Sequence, residues 1–299
     1  MNRTLSLLSV SLPFRKQLQA IKRAIIPYKS NPGNDLGLLY SATLMVAALK
    51  DAGADLGGKT VQEIGTGWIP ILPLIFRCAG AGEVFTMDHD KLMDAHTFRH
   101  AISFIHENLT RGLEWSKAPR EYFNLNHLPS RSHRSLQDLC RSANIVYGAP
   151  FDFLDAPPES ADFIVTRAVL EHIPEETVQR IFAHAATVVR PGGMMCHMID
   201  LSDHLEHHDK SLSRVDMLRY SDQEWRDRTR HRLNHLSRAR RFDYVRMLEE
   251  TGWEVISMTA EPNQKALQDL KTMPLVPRYA NVPHEELAIL DLLIVCQHK

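Results

Sequence analysis

Residues 61–67 read Val-Gln-Glu-Ile-Gly-Thr-Gly, and a proline at position 70 stands before an apolar stretch directly behind them. The apolar run predicts a short strand. Gly65 and Gly67 allow a tight turn that brings backbone N–H groups close to a ligand, and Pro70 suits the first turn of a helix. Such turns also occur without a ligand, so this stretch alone leaves both a nucleotide site and a plain turn open.

A second strand-like run adds context, because residues 84–87 end at Asp88, 21 residues after Gly67. A carboxylate at the end of the second parallel strand lies beside the first turn, where it can accept both hydroxyl groups of a ribose. Asp88 could instead cap the following helix, a role that Asp90 could share. The order of strand, turn, helix, strand and acid favours ribose binding.

Further motifs follow along the chain. The run at 161–166 leads into Arg-Ala-Val-Leu-Glu-His-Ile-Pro at 167–174, and Arg-Pro-Gly-Gly at 190–193 precedes an apolar strand at 194–200. With the glycine turn and Asp88, these motifs resemble the class I S-adenosylmethionine (SAM) dependent methyltransferases over about residues 58–260 and the final strand. The resemblance implies an α/β fold with a Rossmann-like, seven-stranded, mostly parallel sheet, flanking helices and an antiparallel last strand, expected at 287–297.

The resemblance also implies SAM as the cofactor. The acid and the glycines of the first turn would hold the methionine part, and the acid after the second strand would hold the ribose. The loop after the third strand, residues 148–152, would hold the adenine through an aromatic surface and an acceptor. The expected cofactor residues are Glu63, Gly65, Gly67, Trp68, Asp88, Phe151, Asp152 and Arg167.

The chain departs from the family's pattern at two places. Ile69 stands where many members carry a third glycine, and Trp68 precedes it, which places bulk at the mouth of the methionine pocket. Trp68 could stack on SAM or substrate, or pack under the following helix. The usual acid after the third strand is missing and Pro150 stands near its place, so a backbone amide could serve the adenine instead.

The first 57 residues are predicted to form an N-terminal helical lid. Apolar positions between Leu18 and Ile26 share one side of a helix, which we interpret as a lid or dimer helix, with membrane-surface association as the alternative. A second helix is expected after Asn31, with Asn34 or Asp35 as its cap.

The chain is longer than a minimal Rossmann-like domain, so insertions are expected. We place the SAM-binding domain at 58–299, with insertions at about 110–143 and 203–238. The first insertion shows no chemistry and is interpreted as solvated polar surface or a dimer contact. The second follows the fifth strand, at the sheet edge where open α/β folds bind ligands.

Carboxylates and imidazoles crowd the start of the second insertion, at residues 200–209. His204 or Asp203 could take a proton from the acceptor as the methyl group leaves sulfur, and neutral imidazole suits that role near pH 7. In a metal-binding alternative, His204 and His208 share a helical face with Asp200 and Asp203 nearby. We predict no required metal.

Three guanidinium groups stand close together at positions 238, 240 and 241. One of them could hold a carboxylate or phosphate of the substrate, or they could pair with Glu249 or Glu250. We expect Arg241 to contact the substrate, together with Tyr28 and Ser202.

Charge, cysteine content and hydropathy limit the classes of partner and compartment that we expect. A formal net charge of −1 with 24% charged residues gives no electrostatic case for nucleic acid or an anionic membrane. Four cysteines without paired short spacing argue against a disulfide framework or a zinc cluster. No apolar run reaches the ~20 residues of a membrane helix, and the first residues lack a signal-peptide cleavage site. We expect a cytoplasmic monomer or homodimer with a small-molecule substrate.

The favoured function is transfer of a methyl group from SAM to oxygen, nitrogen or carbon of a small metabolite, as in secondary metabolism. In an alternative, the amino group of SAM displaces its own sulfonium substituent, which gives methylthioadenosine and a cyclic amino acid of the azetidine-2-carboxylate type. Ser202, Trp68 and Tyr28 would then hold the amino acid part folded. A third possibility is a SAM-binding partner subunit without turnover.

Overall fold

The structure, a computed structural model, describes Tyr28 and residues 30–112, 118–232 and 235–298. Its strands are β1 (Thr60–Ile64), β2 (Glu83–Met87), β3 (Ile145–Gly148), β4 (Ala161–Arg167), β5 (Val189–Asp200), β6 (Trp253–Thr259) and β7 (Asp291–His298). They form one sheet in the order β3-β2-β1-β4-β5-β7-β6. The first five strands are parallel, and β7 is antiparallel to both neighbours. This confirms the predicted seven-stranded, mostly parallel sheet.

The helices are α1 (Pro32–Asp51), α2 (Ile71–Cys78), α3 (Ala95–Arg111), α4 (Leu136–Ser142), α5 (Glu175–Val188), α6 (Asp222–Thr229), α7 (Arg241–Glu250), α8 (Gln264–Leu270) and α9 (His284–Leu287). The last strand therefore begins at Asp291, later than expected. The helix α9 stands where the strand was expected to begin; Pro283 precedes it, and the acidic residues Glu285 and Glu286 suit the first turn of a helix. None of the described helices combines the length and apolarity that crossing a membrane requires.

Alternate residues of each strand enter the cores on the two faces of the sheet. In β4, Phe163 and Val165 pack with α1, α2 and α3, whereas Ile164 packs with α5 and α7. Because both faces of the sheet are covered at β4, this central strand is buried on both sides. The carboxyl ends of β1, β2, β4 and β5 consequently meet at one edge of a rigid sheet, where loops position polar side chains.

The first described helix, α1, begins differently from the prediction. Asn31 is its cap and accepts the N–H of Gly33 at 3.2 Å, with Pro32 at the first helical position. Asp35 is instead fully buried and accepts hydrogen bonds from Ser30 at 2.8 Å and from the Tyr28 hydroxyl, while the His100 Nε2 lies 2.9 Å away. The helix predicted between residues 18 and 26 lies outside the described residues.

The first predicted insertion, where the structure describes it, packs against α2 and α3. The N–H of Asn124 donates to the carbonyl of Cys78 at 2.8 Å, and His127 Nδ1 donates to the carbonyl of Arg77 at 2.8 Å. On α3, Arg99 donates to the carbonyl of His133. These contacts are structural, and they tie the segment to the helices that precede and follow β2.

A third apolar cluster lies beyond the end of β5. It joins residues of the second predicted insertion to the segment between β6 and β7; its largest members include Leu205, Met217, Trp225, Leu270, Tyr279 and Leu287. The second insertion therefore shares a core with residues far along the chain, and it stands beside the carboxyl edge of the sheet.

The three neighbouring guanidinium groups are all engaged within the fold, which contradicts the expected anion site. Arg238 pairs with Asp222, and the completely buried Arg240 donates to the carbonyls of Leu201, Leu287 and Ile289. Arg241 Nε donates to Glu286 at 2.9 Å, rather than pairing with Glu249 or Glu250. The partners of these arginines are far away in the sequence, so the spacing of the arginines could not indicate them.

Candidate active site

A cavity of about 1250 Å³ opens at the carboxyl edge of β1, β2, β4 and β5. One side is formed by the glycine turn after β1, the end of β2 and the loop after β3. The opposite side carries the end of β4, the turn Leu170–His172 and the residues after β5. The beginning of α1, with Asn34 and Gly37, contributes a further wall, together with Tyr28.

The glycine turn is anchored to β2. Gly65 and Thr66 donate their N–H groups to the carbonyl of Met87 at 2.8 and 3.1 Å, and Gly67 donates to Asp88 at 2.9 Å. These three amides are therefore already hydrogen-bonded, contrary to the expectation that they reach for a ligand. Gly65 has φ of 91°, and a Cβ there would stand 2.3 Å from the Val169 side chain, so only glycine fits this position.

Glu63 lies beneath the turn and does not line the cavity. The Thr86 hydroxyl donates to its carboxylate. Burial raises the pKa of Glu63 to about 8, against the lowering effect of the Thr86 hydrogen bond and with the negative charge of Asp88 adding to the rise. Direct contact with the methionine part, as predicted, is contradicted, and Glu63 can act on a ligand only through the turn above it.

Asp88 stands at the cavity wall, where ribose binding was predicted. Its carboxylate accepts the N–H of Gly67 at 2.9 Å and that of Asp90 at 3.1 Å. A carboxylate offers about four lone-pair sites, so two backbone bonds leave it able to accept ribose hydroxyls. The turn thus fixes the position of the carboxylate that would hold the ribose.

Trp68, Phe151 and Asp152 also line this side of the cavity. The ring of Phe151 meets that of Phe85 edge-on at 5.1 Å, which holds it in place as an apolar surface. One oxygen of Asp152 accepts the N–H of Leu154 at 3.0 Å, and the residue is exposed. The structure therefore places the predicted adenine residues together, beside Asp88.

The opposite wall is polar. It carries the side chains of Arg167, Glu171, His172, Asp200, His204, His207 and Asp291. Glu171 and His172 belong to the turn that follows β4, Asp200 ends β5, and His204 comes from the loop beyond it. Parallel strands bring these distant parts of the chain to the same edge.

Asp200 and His204 form an ion pair with 3.3 Å between Oδ2 and Nε2. Burial alone would raise the pKa of Asp200, but hydrogen bonds from His204 and Ser202 outweigh it and leave that pKa well below its usual range. Burial would lower the pKa of His204, yet Asp200, with Glu171 and Asp203, raises it above its ordinary value. Burial also raises the pKa of Glu171 to about 7, and Asp200 adds to the rise.

Not all of the predicted residues reach this wall. Asp203 is buried, accepts the N–H of Leu205 at 2.8 Å and does not line the cavity, so only His204 of the two predicted bases faces it. Ser202 is buried beside a separate recess behind the wall, and Arg241 does not line the cavity. Tyr28 does line it, with its hydroxyl bound to Asp35. Arg167 lies on the polar wall rather than beside Asp88.

The sequence interpretation assigned no role to Glu171, His172, His207 or Asp291. Glu171 and His172 belong to the motif at 167–174, and their place directly after a predicted strand is a signal for the ligand-binding edge. His207 lay in the crowded segment 200–209. Asp291 begins β7, whose start was misplaced, so no signal connected it to this wall.

Comparisons with known proteins identify a methyltransferase domain in part of the chain. The profile of a methyltransferase domain family matches residues 138–258. No curated protein matches the chain significantly in sequence. Among solved structures, magnesium protoporphyrin IX methyltransferase from Synechocystis PCC 6803, with bound S-adenosylhomocysteine, aligns with a TM-score of 0.48 and 11% identity, over 95% of this chain and 94% of that one.

An S-adenosylmethionine dependent methyltransferase from Mesorhizobium loti aligns with a TM-score of 0.45 and 13% identity, over 84% of this chain and 95% of that one. Both similarities are too weak to transfer a substrate. The domain match, the strand order with its antiparallel β7, and a cavity beside the glycine turn and Asp88 carry the assignment. Residues 138–258 therefore carry a methyltransferase domain, and the cofactor of this domain is S-adenosylmethionine.

Proposed function

We propose that this protein transfers the methyl group of SAM to an oxygen or nitrogen atom of a small molecule held against the polar wall. The observation that carries the proposal is a cavity of about 1250 Å³ with two chemically different sides. Ligand pockets commonly have volumes of about 300–1,000 Å³, so this cavity has room for SAM and a second small molecule.

The cofactor side would be the one that carries Asp88 and Phe151. Asp88 would accept the ribose hydroxyls, and Phe151 would cover one face of the adenine, with Asp152 or a nearby amide as its hydrogen-bond partner. SAM supplies a methyl group on a sulfonium, which is already an excellent leaving group. The chain's own contribution would be alignment of the two molecules across the cavity, which accounts for much of the rate enhancement in such reactions.

The charges on the polar wall indicate which chemical class of acceptor molecule would bind there. The carboxylates of Glu171, Asp200 and Asp291 face the cavity and outnumber the two guanidinium groups that line it, those of Arg167 and Arg180. Arg238, Arg240 and Arg241 are engaged within the fold. This favours an acceptor with a hydroxyl or amine over the anionic metabolite that the guanidinium cluster suggested. His204 is the predicted proton acceptor that faces this position, with Asp200 beside it.

Product analysis tests the proposal. Purified protein is incubated with SAM alone, and then with SAM and fractionated pools of small hydroxyl and amine compounds, and nucleoside products are identified by mass spectrometry. We expect S-adenosylhomocysteine to appear only when an acceptor pool is present, together with a methylated compound. The exposed Asp51→Asn variant should behave as the native chain does, whereas Asp88→Asn should need more SAM.

Two other outcomes would overturn the proposal in different ways. Methylthioadenosine from SAM alone would indicate the intramolecular cyclisation. Tight binding of SAM with neither product, over a broad set of acceptors, would indicate a partner subunit without turnover.

A further inference from the structure

We infer that Glu171, His172 and His204 form a binding site for a divalent transition-metal ion on the polar wall of the cavity. One ligand atom from each side chain lies within 4.8 Å of those of the other two, and all three residues line the cavity. Imidazole nitrogens with a carboxylate suit zinc and its first-row neighbours, whereas calcium and magnesium prefer oxygen ligands alone.

The ring of His172 is oriented as a metal ligand requires. Its Nδ1 lies 3.1 Å from the backbone carbonyl of His235. Because a carbonyl only accepts, Nδ1 carries the proton and the lone pair is on Nε2. Histidine ligands in metal sites are commonly fixed in this way, by donating the second ring N–H to a carbonyl or carboxylate.

Glu171 gives the second, independent observation. The residue is only 4% exposed, and no side chain among the described residues donates a hydrogen bond to its carboxyl oxygens, although the backbone N–H groups of Glu171 and Asp200 lie near them. A buried carboxylate without a positively charged hydrogen-bond donor is costly, and a bound cation would offset that cost. Arg167 lies close enough to interact electrostatically, but it donates no hydrogen bond to these oxygens. A recess of about 10 Å³ behind Glu171 has room for about one water molecule, which carries no charge.

His204 completes the set. Its Nε2 is buried and lies 3.3 Å from Asp200 Oδ2, in the ion pair described above, with no further partner among the described residues. Asp200 is therefore placed to add another oxygen. The set differs from the alternative drawn from sequence, since Asp203 is buried away from the cavity and His208 is exposed. Helical spacing pointed to His208 as the second imidazole, whereas the structure brings His204 close to His172, in the turn that follows β4.

A cation at this site would affect the proposed methyl transfer, although the binding of the cation does not depend on that function. An open coordination position facing the cavity would hold an acceptor hydroxyl and lower the pKa of that hydroxyl. The coordinated hydroxyl would then give its proton to water in the open cavity, rather than to His204, whose imidazole would be a metal ligand. This part of the inference rests on the proposed methyl transfer, whereas the metal site itself rests on the ligand geometry.

Cobalt(II) is a suitable probe, because its absorption spectrum reports coordination. The full chain is dialysed against a chelator and titrated with Co²⁺ without SAM or acceptor, and zinc affinity is measured by calorimetry. We expect one equivalent to bind with a ligand-field spectrum. His172→Gln and Glu171→Gln should each weaken the affinity by at least about tenfold. His208→Gln, which removes an exposed imidazole from the same segment, should leave it unchanged.

SAM affinity of each variant, measured separately, shows whether the cavity is intact. Cobalt binding no tighter than about millimolar in the native chain would overturn the inference, whatever the variants do. The same holds if His172→Gln binds as tightly as the native chain, or if His208→Gln loses as much affinity as His172→Gln. Because turnover is not measured, these results are independent of whether methyl transfer is found.

Discussion

The carboxylate of Asp88 both anchors the glycine turn, through the N–H of Gly67, and faces the cavity where the ribose is proposed to bind. Replacing Asp88 by Asn keeps an oxygen for the backbone and removes the charge. We expect SAM binding to weaken by about 1.5 to 3 kcal/mol, roughly 10- to 150-fold in Kd, because hydrogen bonds to a charged acceptor are lost.

Calorimetry with SAM measures this effect, and Asp51→Asn, an exposed change at the end of α1, is the matched control. Unchanged affinity of Asp88→Asn would refute the assignment. A lower melting temperature without ligand would instead reveal damage to the turn.

Individual residues were predictable where their partners are close in sequence or follow from strand order. Asp88 ends a strand at a fixed place in the sheet, and the structure puts it at the cavity wall. Asp35 was interpreted as a helix cap, but His100, 65 residues away, gives it a buried partner instead. The proximity of Glu171 and His204 likewise could not be predicted, because the two residues lie on different loops.

At the level of elements, Arg240 joins the start of α7 to the end of β5 and the region of α9. Its guanidinium is fully buried and serves the carbonyls of Leu201, Leu287 and Ile289. Lysine carries its donors on one nitrogen and cannot reproduce this fork. We expect Arg240→Lys to lower the free energy of unfolding by about 2 to 4 kcal/mol, because buried carbonyls lose their partners.

Urea unfolding checks this expectation, with Arg241→Lys as the neighbouring control. Arg241 is partly exposed and pairs with Glu286, and partly exposed ion pairs contribute about 1 kcal/mol or less. Equal losses in the two variants would show that Arg240 has no special structural role.

Elements with strong local signals were predicted well, and their ends were not. The strand before the glycine turn and the strands at 84–87 and 161–166 follow from apolar runs bounded by turns. The start of β7 was misplaced because Leu287 to Leu290 are apolar and buried like a strand, although a short helix ends at Leu287. Leu287, Ala288 and Leu290 are buried in the third apolar cluster, whereas Ile289 packs in the core beside α5 and α7 and forms an isolated β-bridge with Pro262.

For the molecule as a whole, the buried Glu63 couples stability to pH. The pKa of its side chain rises from the ordinary value of 4.5 to about 8 on folding, chiefly through burial. Between these values the folded chain keeps a proton that the unfolded chain has lost, so stability falls as pH rises. The slope is at most about 1.4 kcal/mol per pH unit.

Glu63→Gln has no proton to lose at this position. In the ligand-free protein, the free energy of unfolding of the variant minus that of the native chain should therefore increase from about pH 4.5 to about pH 8 and then stay constant. Denaturant unfolding across this range measures it. A difference that does not vary with pH would show that Glu63 ionises in the fold as it does in water.

The overall topology was predictable because each motif fixes one strand–turn–helix unit, and parallel units of this kind assemble in a limited number of ways. The second insertion shares a core with the segment before β7, and this could not be predicted from the sequence. It depends on packing between residues that are far apart in the chain, such as Leu205 and Tyr279. The polar wall depends on the same long-range packing.

The position of β7 also has a consequence for the order in which the chain is synthesised. β7 lies between β5 and β6, yet it follows both in the sequence, and β6 has no other neighbour in the sheet. A nascent chain synthesised up to Thr259 therefore has β5 without its β7 neighbour and β6 without any strand partner, for about 2 to 8 seconds until His298 is added. Open strand edges are templates for pairing with other chains, so the addition of β7 closes the edge of β5 and one edge of β6 at once.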